Sequence, residues 1–316
     1  MVTKASTREA YGKTLLELGR ENTNIVVVGG DLNKSTMTTL FAKEFPERFF
    51  DCGAAEQNMM SISAGLASSG KIPFVSTFAV FGSGRPFDQI RISIAQARAN
   101  VKIVVTHAGI TTGPDGMSAH GIEDLALMCS LVGFTVVVPA DAQETAQVIR
   151  SVAEMDGPCY VRLNRPTTPL VCPEGYSFQL GKASVFRPGG DVSILATGIM
   201  VAKALEAADN LAEEGIDARV VNVSTIKPID QECIIQCARE TGAVVTAEEH
   251  LKHGGLGSIV SQVLVENCPV PVSTVAIEDV YSHSGEADEL LELRGLTHEK
   301  IEVAVRGVVA RKLKGL

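Results

Sequence analysis

Apolar runs rich in β-branched residues alternate with segments of helical periodicity along the first half of the chain. Five runs are almost continuously apolar, as strands buried on both faces of a parallel sheet are. They cover residues 24–31, 71–77, 101–107, 134–140 and 159–165. Helical patterns occur near the N-terminus, with Ser6 or Thr7 as N-cap, and at 57–69, 88–99, 123–131 and 142–154. This alternation predicts βαβ units and a parallel sheet.

The alternation is interrupted over residues 164–182, which contain three prolines. It resumes with four further apolar runs, at 191–198, 218–224, 243–250 and 272–279. A chain of 316 residues is also long for one core, and two domains of roughly 130–180 residues are expected. We therefore predict an α/β protein with two domains, 1–178 and 179–316, each a mostly parallel sheet flanked by helices.

Composition and net charge limit the classes of function that the chain can have. Hydrophobic residues make up 45% and charged residues 21% of the chain, as in an ordinary globular protein. A formal net charge of -9 disfavours nucleic-acid binding, which requires a basic face. No run approaches the ~20 apolar residues of a membrane span, and the first residues do not resemble a signal peptide. With seven scattered cysteines, we expect free thiols and a cytoplasmic location.

Two pairs of residues have a spacing that is typical of metal ligands. Cys233 and Cys237 are four residues apart, but their segment is an amphipathic helix in which a buried cysteine is the better interpretation. His250 and His253 have no further ligand-type residues beside them. We predict no metal site on this chain.

The carboxyl ends of the predicted strands define one edge of the first domain. Ligands of open parallel sheets bind there, and this edge receives Asp31, Thr77–Phe81, Arg165 and the 106–120 loop. The loop places a Gly-Pro-Asp-Gly turn between two histidines and has few apolar residues. It is therefore either a surface turn or the mouth of a ligand pocket.

Several side chains near this edge have two possible roles. Glu56 opens a predicted helix, where the helix dipole favours a carboxylate, or else it is a buried acid that faces a heteroaromatic ligand. Phe78 and Phe81 either pack in the core or offer a flat face to a planar ring. Four more residues are either ordinary surface groups or a clamp for phosphate, namely Arg8, Ser35, His107 and Arg165.

An ordered set of motifs resembles the transketolase family. The segments 54–67, 76–91, 106–127, 138–141 and 161–166 resemble its pyrimidine-binding domain, and 247–258 resembles its C-terminal domain. The similarity spans essentially the whole chain. The diphosphate-binding domain that precedes these two in full-length transketolases is missing, so the chain resembles the C-terminal subunit of a split transketolase.

The resemblance implies a role for each candidate residue. Glu56 falls on the glutamate that bonds N1′ of the aminopyrimidine of thiamine diphosphate, which favours loss of the thiazolium C2 proton. Phe78 and Phe81 match aromatics that pack on this pyrimidine. Asp115 matches a reader of the donor's C2 hydroxyl, and His120 a residue near the reacting carbonyl. The phosphate-binding positions are Arg8, Ser35, His107 and Arg165. Asp31 matches a polar residue near the cofactor and the dimer interface.

The resemblance also implies a partner. Gly30-Asp31-Leu32 lacks the second glycine of the family's metal motif, and the paired asparagines are absent, so Mg²⁺ or Ca²⁺ and the diphosphate are expected on an N-terminal-half subunit. We expect a heterotetramer with two copies of each subunit, which binds sugar phosphates and neither nucleic acid nor membranes.

Three positions depart from the family's pattern. Gly84 stands where an aromatic is usual, one extra residue separates Asp115 from His120, and Ala54 and Ala55 are smaller than usual. With these departures the pocket is either wider than usual in the family or completed by other residues.

The sequence leaves open which reaction the chain serves. The expected activity is transfer of a two-carbon ketol unit from a ketose phosphate to an aldose phosphate. The alternatives are the beta subunit of a 2-oxo-acid dehydrogenase, a deoxyxylulose-phosphate synthase-like enzyme, and a non-catalytic assembly module.

Overall fold

A computed structural model describes residues 3–314. The strands are β1 Lys4–Ser6, β2 Ile25–Gly29, β3 Phe49–Asp51, β4 Ile72–Ser76, β5 Lys102–Val105, β6 Thr135–Val137, β7 Cys159–Arg162, β8 Thr167–Pro169, β9 Ser184–Arg187, β10 Val192–Ala196, β11 Ala218–Asn222, β12 Thr225–Lys227, β13 Val244–Leu251 and β14 Val272–Ile277. The helices are α1 Thr7–Glu21, α2 Thr39–Glu44, α3 Glu56–Ser68, α4 Ala79–Ser83, α5 Phe87–Gln89, α6 Asp124–Cys129, α7 Ala142–Glu154, α8 Met200–Glu213, α9 Gln231–Thr241, α10 Leu256–Asn267, α11 Ala287–Leu293 and α12 His298–Leu313.

Two mostly parallel sheets form the framework. The first has seven strands in the order β12-β6-β7-β5-β4-β2-β3, and all neighbours are parallel except the pair of β12 with β6. The second has five strands in the order β14-β13-β10-β11-β9, with β9 antiparallel. β1 and β8 form a separate antiparallel pair. The predicted α/β fold with two parallel-dominated sheets is confirmed.

The strands of the sheet interiors follow from their apolar runs. β2 and β10 are buried at every position, as expected for strands covered by helices on both faces.

The N-cap prediction for α1 is also confirmed, because Ser6 Oγ accepts a hydrogen bond from the backbone N–H of Glu9 at 3.3 Å.

The helical segment predicted over 88–99 is helical over residues 87–96, but most of it is not α-helix. Residues 90–96 form a π-helix that follows the short α5. Ile90, Ile94 and Ala95 point into the core in this wider turn. Apolar residues four and five positions apart are compatible with either kind of helix, so the sequence pattern could not distinguish them.

The two halves of the chain are joined by strand pairing and by shared apolar packing. β12 belongs to the half that the sequence assigns to the second domain, yet it pairs with β6 of the first sheet. One hydrophobic cluster also joins the halves, since Val136 and Phe134 share it with Val221, Ile226 and Val260. The two sheets are therefore packed as one unit, whereas the boundary at residue 178 stays a prediction.

Candidate active site

Glu56 lies at the first turn of α3 and is 6% exposed. Its Oε1 accepts a hydrogen bond from Arg85 Nη1 at 2.9 Å. The Arg85 guanidinium also covers the ring of Phe81, with Cζ 4.1 Å from the ring centroid. Because the Arg85 side chain is 54% exposed, water screens this ion pair and it contributes little to stability. A buried carboxylate beside an aromatic face is thus covered by a cation that a ligand can displace.

The two aromatics of this edge have different surroundings. Phe78 is buried and its ring stacks on the imidazole of His107, with centroids 3.7 Å apart and planes 19° apart. Phe81 lies 6.0 Å from Phe78 and nearly parallel to it. Phe81 lies in the five-residue α4, and Phe78 directly precedes that helix. Phe81 is therefore the ring with a face toward Arg85 and Glu56.

The 106–120 loop is buried at its start, contrary to the expectation that little would hold it in a core. Residues 106–113 and His120 are buried, while Asp115 is exposed. Residues 110–115 form 3₁₀ turns with a kink at Gly113, whose φ is 74°. The sequence did not predict this burial because the covering groups come from the second half of the chain.

His107 has a left-handed backbone, with φ 56°, which is uncommon for a residue with a side chain. Thr112 Oγ1 donates to the His107 carbonyl at 2.6 Å, and Thr106 Oγ1 lies 2.8 Å from its Nδ1. Burial and the nearby charges of Arg8 and Arg165 lower the pKa of His107 to about 3. The ring is therefore neutral at physiological pH, so it can form hydrogen bonds but carries no positive charge.

Arg8, Ser35 and Arg165 come together beside His107. Arg8 donates to the main-chain carbonyl of Ser35 at 2.8 Å and twice to that of Arg165, at 3.2 and 2.9 Å. Arg165 donates to the carbonyl of Thr112 at 3.1 Å. Burial and the charge of Arg165 lower the pKa of Arg8. Two guanidinium groups bound to neutral carbonyls leave an excess of positive charge, which favours an anion.

His120 and Asp115 lie on the distal part of the loop. His120 Nε2 lies 3.1 Å from the carbonyl of Gly113 and donates to it. This leaves Nδ1 as an acceptor, and that buried atom has no hydrogen-bond partner within residues 3–314. Burial lowers the pKa of His120. The imidazole is neutral and can accept a hydrogen bond from a hydroxyl group.

Asp31 lies beyond the end of β2, as predicted, with an exposed side chain and a left-handed backbone of φ 63°. Its backbone N–H donates to Asp51 Oδ1 at 3.1 Å. Its carboxylate has no hydrogen-bond or ion-pair partner among residues 3–314, and its predicted position near a cofactor stays a prediction.

Sequence reasoning missed three residues of this region. Arg85 follows Gly84 where the family has an aromatic, and this replacement was the available signal. Glu249 contacts the 106–120 loop, since its Oε1 accepts from the N–H of Thr111 at 2.7 Å, and Asn164 Nδ2 donates to Glu249 Oε2 at 3.1 Å. A pair of glutamates at the end of an apolar run, as in 243–250, was the sequence signal for this buried carboxylate.

These features place a buried carboxylate, an aromatic face and an anion-binding group of arginines at the carboxyl edge of a parallel sheet. They define an α/β protein whose strand ends present groups complementary to phosphate and to a planar ring. Within the described chain no helix is long and apolar enough to span a membrane, and no cluster of three metal-ligand residues occurs in residues 3–314.

Comparison with known proteins identifies the family. The family model "Transketolase, pyrimidine binding domain" matches residues 3–170, and "Transketolase, C-terminal domain" matches residues 181–301. The chain belongs to the transketolase family, as its motifs predict.

Its relatives include subunits of similar length. A putative transketolase C-terminal section of Methanocaldococcus jannaschii is 46% identical over 93% of this chain and 93% of its own. A 6-deoxy-6-sulfo-D-fructose transketolase subunit of Clostridium sp. is 43% identical over 96% and 95%. A solved structure described as a split gene transketolase, inactive beta4 tetramer, superposes with a TM-score of 0.91 at 52% identity, over 97% of this chain and 99% of that one. The chain is thus a split member of the family.

Proposed function

We propose that this chain provides the pyrimidine-binding side of a thiamine-diphosphate-dependent transketolase. The complete enzyme transfers a two-carbon ketol unit from a ketose phosphate to an aldose phosphate. The observation that carries the proposal is the buried carboxylate of Glu56 beside Phe81, at the same edge as Arg8 and Arg165. Bound thiamine diphosphate supplies the electron sink for breaking the C2–C3 bond of the donor.

Glu56 and Phe81 fit the aminopyrimidine. The carboxylate accepts a hydrogen bond from a protonated ring nitrogen, and the phenyl ring offers a parallel face. Arg85 must leave Oε1 of Glu56 for this contact, and its half-exposed side chain has solvent to move into. Gly84 adds no side chain there, so the guanidinium of Arg85 borders the pocket in place of the usual aromatic.

Arg8, Arg165 and His107 hold the terminal phosphate of the sugar. When the Thr106 hydroxyl donates to His107 Nδ1, the proton of the neutral ring is on Nε2 and is donated to a phosphate oxygen. The two arginines supply the compensating charge. Ser35 lies within this group through its contact with Arg8 and completes the proposed clamp.

His120 and Asp115 orient the reacting end of the sugar. Nδ1 of His120 accepts a hydrogen bond from a sugar hydroxyl, since it has no partner among residues 3–314. The exposed carboxylate of Asp115 accepts from the donor's C2 hydroxyl. Fixing these groups before reaction reduces the entropy lost in the transition state.

A partner subunit completes the site. It binds the diphosphate with Mg²⁺ or Ca²⁺, and we propose a cytoplasmic heterotetramer of two copies of each subunit. The similar structure described as an inactive beta4 tetramer supports the proposal that copies of this subunit alone do not form a working enzyme. The sulfo-sugar named for one relative leaves the choice of sugar phosphate to experiment.

The proposal is tested with the complex reconstituted from this chain and the N-terminal-half subunit. We expect ketol transfer between a ketose phosphate and an aldose phosphate, and no decarboxylation of pyruvate. Pyruvate turnover would instead identify a 2-oxo-acid dehydrogenase subunit or a deoxyxylulose-phosphate synthase. Full activity in a Glu56→Gln complex would show that the chain is a non-catalytic assembly module.

A further inference from the structure

One buried carboxylate of the second half of the chain bonds directly to the 106–120 loop. Glu249 on β13 is 2% exposed, and its two oxygens accept separate hydrogen bonds. Oε1 accepts from the backbone N–H of Thr111 at 2.7 Å, and Oε2 accepts from Asn164 Nδ2 at 3.1 Å. The loop that carries His107, Asp115 and His120 is therefore bonded to the second sheet at its buried turn.

The loop backbone is shaped around this carboxylate. Gly109 has φ 75°, and a Cβ there would lie 2.1 Å from Glu249 Oε1. Arg162 ties down the end of the loop as well, since its Nη2 donates at 3.0 Å to the carbonyls of both Gly121 and Glu249. The buried turn at residues 109–111 and Gly121, directly after the loop, are thus both held close to Glu249.

We propose that Glu249 is a positioning residue for the substrate, which acts by holding the 106–120 loop in the geometry that binds the sugar phosphate. The effect on the substrate rests on the proposed function, whereas the effect on the loop does not. Loss of the Glu249 contacts loosens Thr111 and thereby His107 and His120, while Glu56 keeps its place on α3.

The charge state of Glu249 matters to this contact. Both oxygens face N–H donors. The ionised carboxylate accepts a hydrogen bond from each donor, whereas the protonated acid accepts from only one because its hydroxyl oxygen carries a proton. Burial raises the pKa of Glu249 to about 7. The positive charge of Arg162 on β7 acts to lower this pKa, and the negative charge of Asp124 on α6 acts to raise it. The contact is therefore complete above pH 7 and weakens as the pH falls below it.

Glu249→Gln tests the proposal, and Glu248→Gln is its matched control. A glutamine amide offers one oxygen, so it loses one of the two contacts as the protonated acid does. Glu248 is equally buried and on the same strand, and burial also raises its pKa to about 7. Its carboxylate accepts from Leu256 and Gly257 at the start of α10 instead.

In the full chain without a partner, Glu249→Gln should speed hydrogen exchange of the peptide that contains Thr111 by about tenfold or more, as expected for loss of one buried hydrogen bond to a charged group. Glu248→Gln should leave this peptide unchanged. Unchanged exchange in Glu249→Gln would overturn the loop anchor. Asn164→Ala, which removes one donor and keeps the carboxylate, should speed exchange in the same peptide if Glu249→Gln does not fold.

In the reconstituted complex, Glu249→Gln should raise KM for the phosphorylated donor about tenfold, with little change in affinity for thiamine diphosphate. The KM of the unsubstituted enzyme should rise as the pH falls from 8 to 6, and that of Glu249→Gln should stay high and flat. Equal KM values in Glu249→Gln and Glu248→Gln would overturn the substrate role. Absence of ketol transfer by the unsubstituted complex would refute the proposed function and leave the exchange result valid.

Discussion

Arg8 donates to the main-chain carbonyl of Arg165, and the carbonyl oxygens to which the two guanidinium groups donate carry no compensating charge. The charge of Arg165 lowers the pKa of Arg8, and we expect an anion bound between the two to relieve their repulsion. His107 adds a neutral hydrogen-bond donor at the same place, because its lowered pKa of about 3 keeps the ring uncharged. At the scale of residues, the two positive charges of Arg8 and Arg165 and the neutral hydrogen-bond donor of His107 make the site suited to phosphate.

Replacement of Arg8 or Arg165 by alanine removes a charge-assisted hydrogen bond worth roughly 1.5–3 kcal/mol. The KM of the reconstituted enzyme for phosphorylated substrates should rise about tenfold or more, since ~1.4 kcal/mol is a factor of ten. Steady-state kinetics with phosphorylated and unphosphorylated sugars measure this difference.

The control for the arginines is Arg239→Ala, at an exposed position of α9, which should change neither KM. An equal loss with phosphorylated and unphosphorylated substrates would show that Arg8 and Arg165 serve the fold and not the phosphate.

At the scale of elements, β13 carries two neighbouring carboxylates to opposite sides. Glu248 caps α10, and Glu249 bonds to the 106–120 loop. Burial raises the pKa of both to about 7. Each side chain therefore binds its proton more tightly in the folded protein than in the unfolded chain, where the usual carboxyl value applies.

This difference predicts a pH dependence of stability. Between the usual carboxyl pKa and about pH 7, the folded state holds more protons than the unfolded state, so stability falls as the pH rises. The free energy of unfolding, relative to that of Glu248→Gln, should decrease by up to about 1.4 kcal/mol per pH unit between pH 5 and 7 and level off above. Urea denaturation at several pH values measures it.

The comparison with Glu248→Gln removes the contribution of His107, whose lowered pKa acts in the opposite direction. A difference in unfolding free energy that is constant with pH would show that Glu248 is not perturbed.

The elements differ in how far the sequence determines them. The apolar runs of β2, β5 and β10 are sufficient to predict buried parallel strands, and the family motifs place Glu56 and Arg165 at the strand ends. The pairing of β12 with β6 was not predictable, because a three-residue strand has no periodicity of its own. The contact of Glu249 with Thr111 joins residues 138 positions apart, and no local pattern encodes such a distance.

At the scale of the whole molecule, the two halves act together while the candidate site faces outward. Shared apolar packing and β12 join the sheets, and Arg85 covers Glu56 from a half-exposed position. A ligand bound over Phe81 would remain partly open to water on this chain alone. This exposure supports the proposal that a partner surface encloses the ring and the diphosphate.

The isolated chain should accordingly bind thiamine diphosphate weakly and show no ketol transfer. Isothermal titration of the chain with the cofactor and Mg²⁺ should give little heat, and the same titration with the N-terminal-half subunit present should give a saturable isotherm. Tight binding by the chain alone would contradict the split site.

The most direct measurement of the account concerns Glu56 in the assembled complex. Glutamine keeps the shape of the side chain and loses its negative charge, so the cofactor should still bind, while proton loss from its thiazolium C2 slows by about 10²–10⁴-fold, the usual contribution of acid–base catalysis. Hydrogen–deuterium exchange at C2, followed without sugar substrate, gives this rate directly. We expect slow exchange in Glu56→Gln and fast exchange in the unsubstituted complex. Equal rates in the two complexes would contradict it and leave Glu56 as no more than the first residue of a helix.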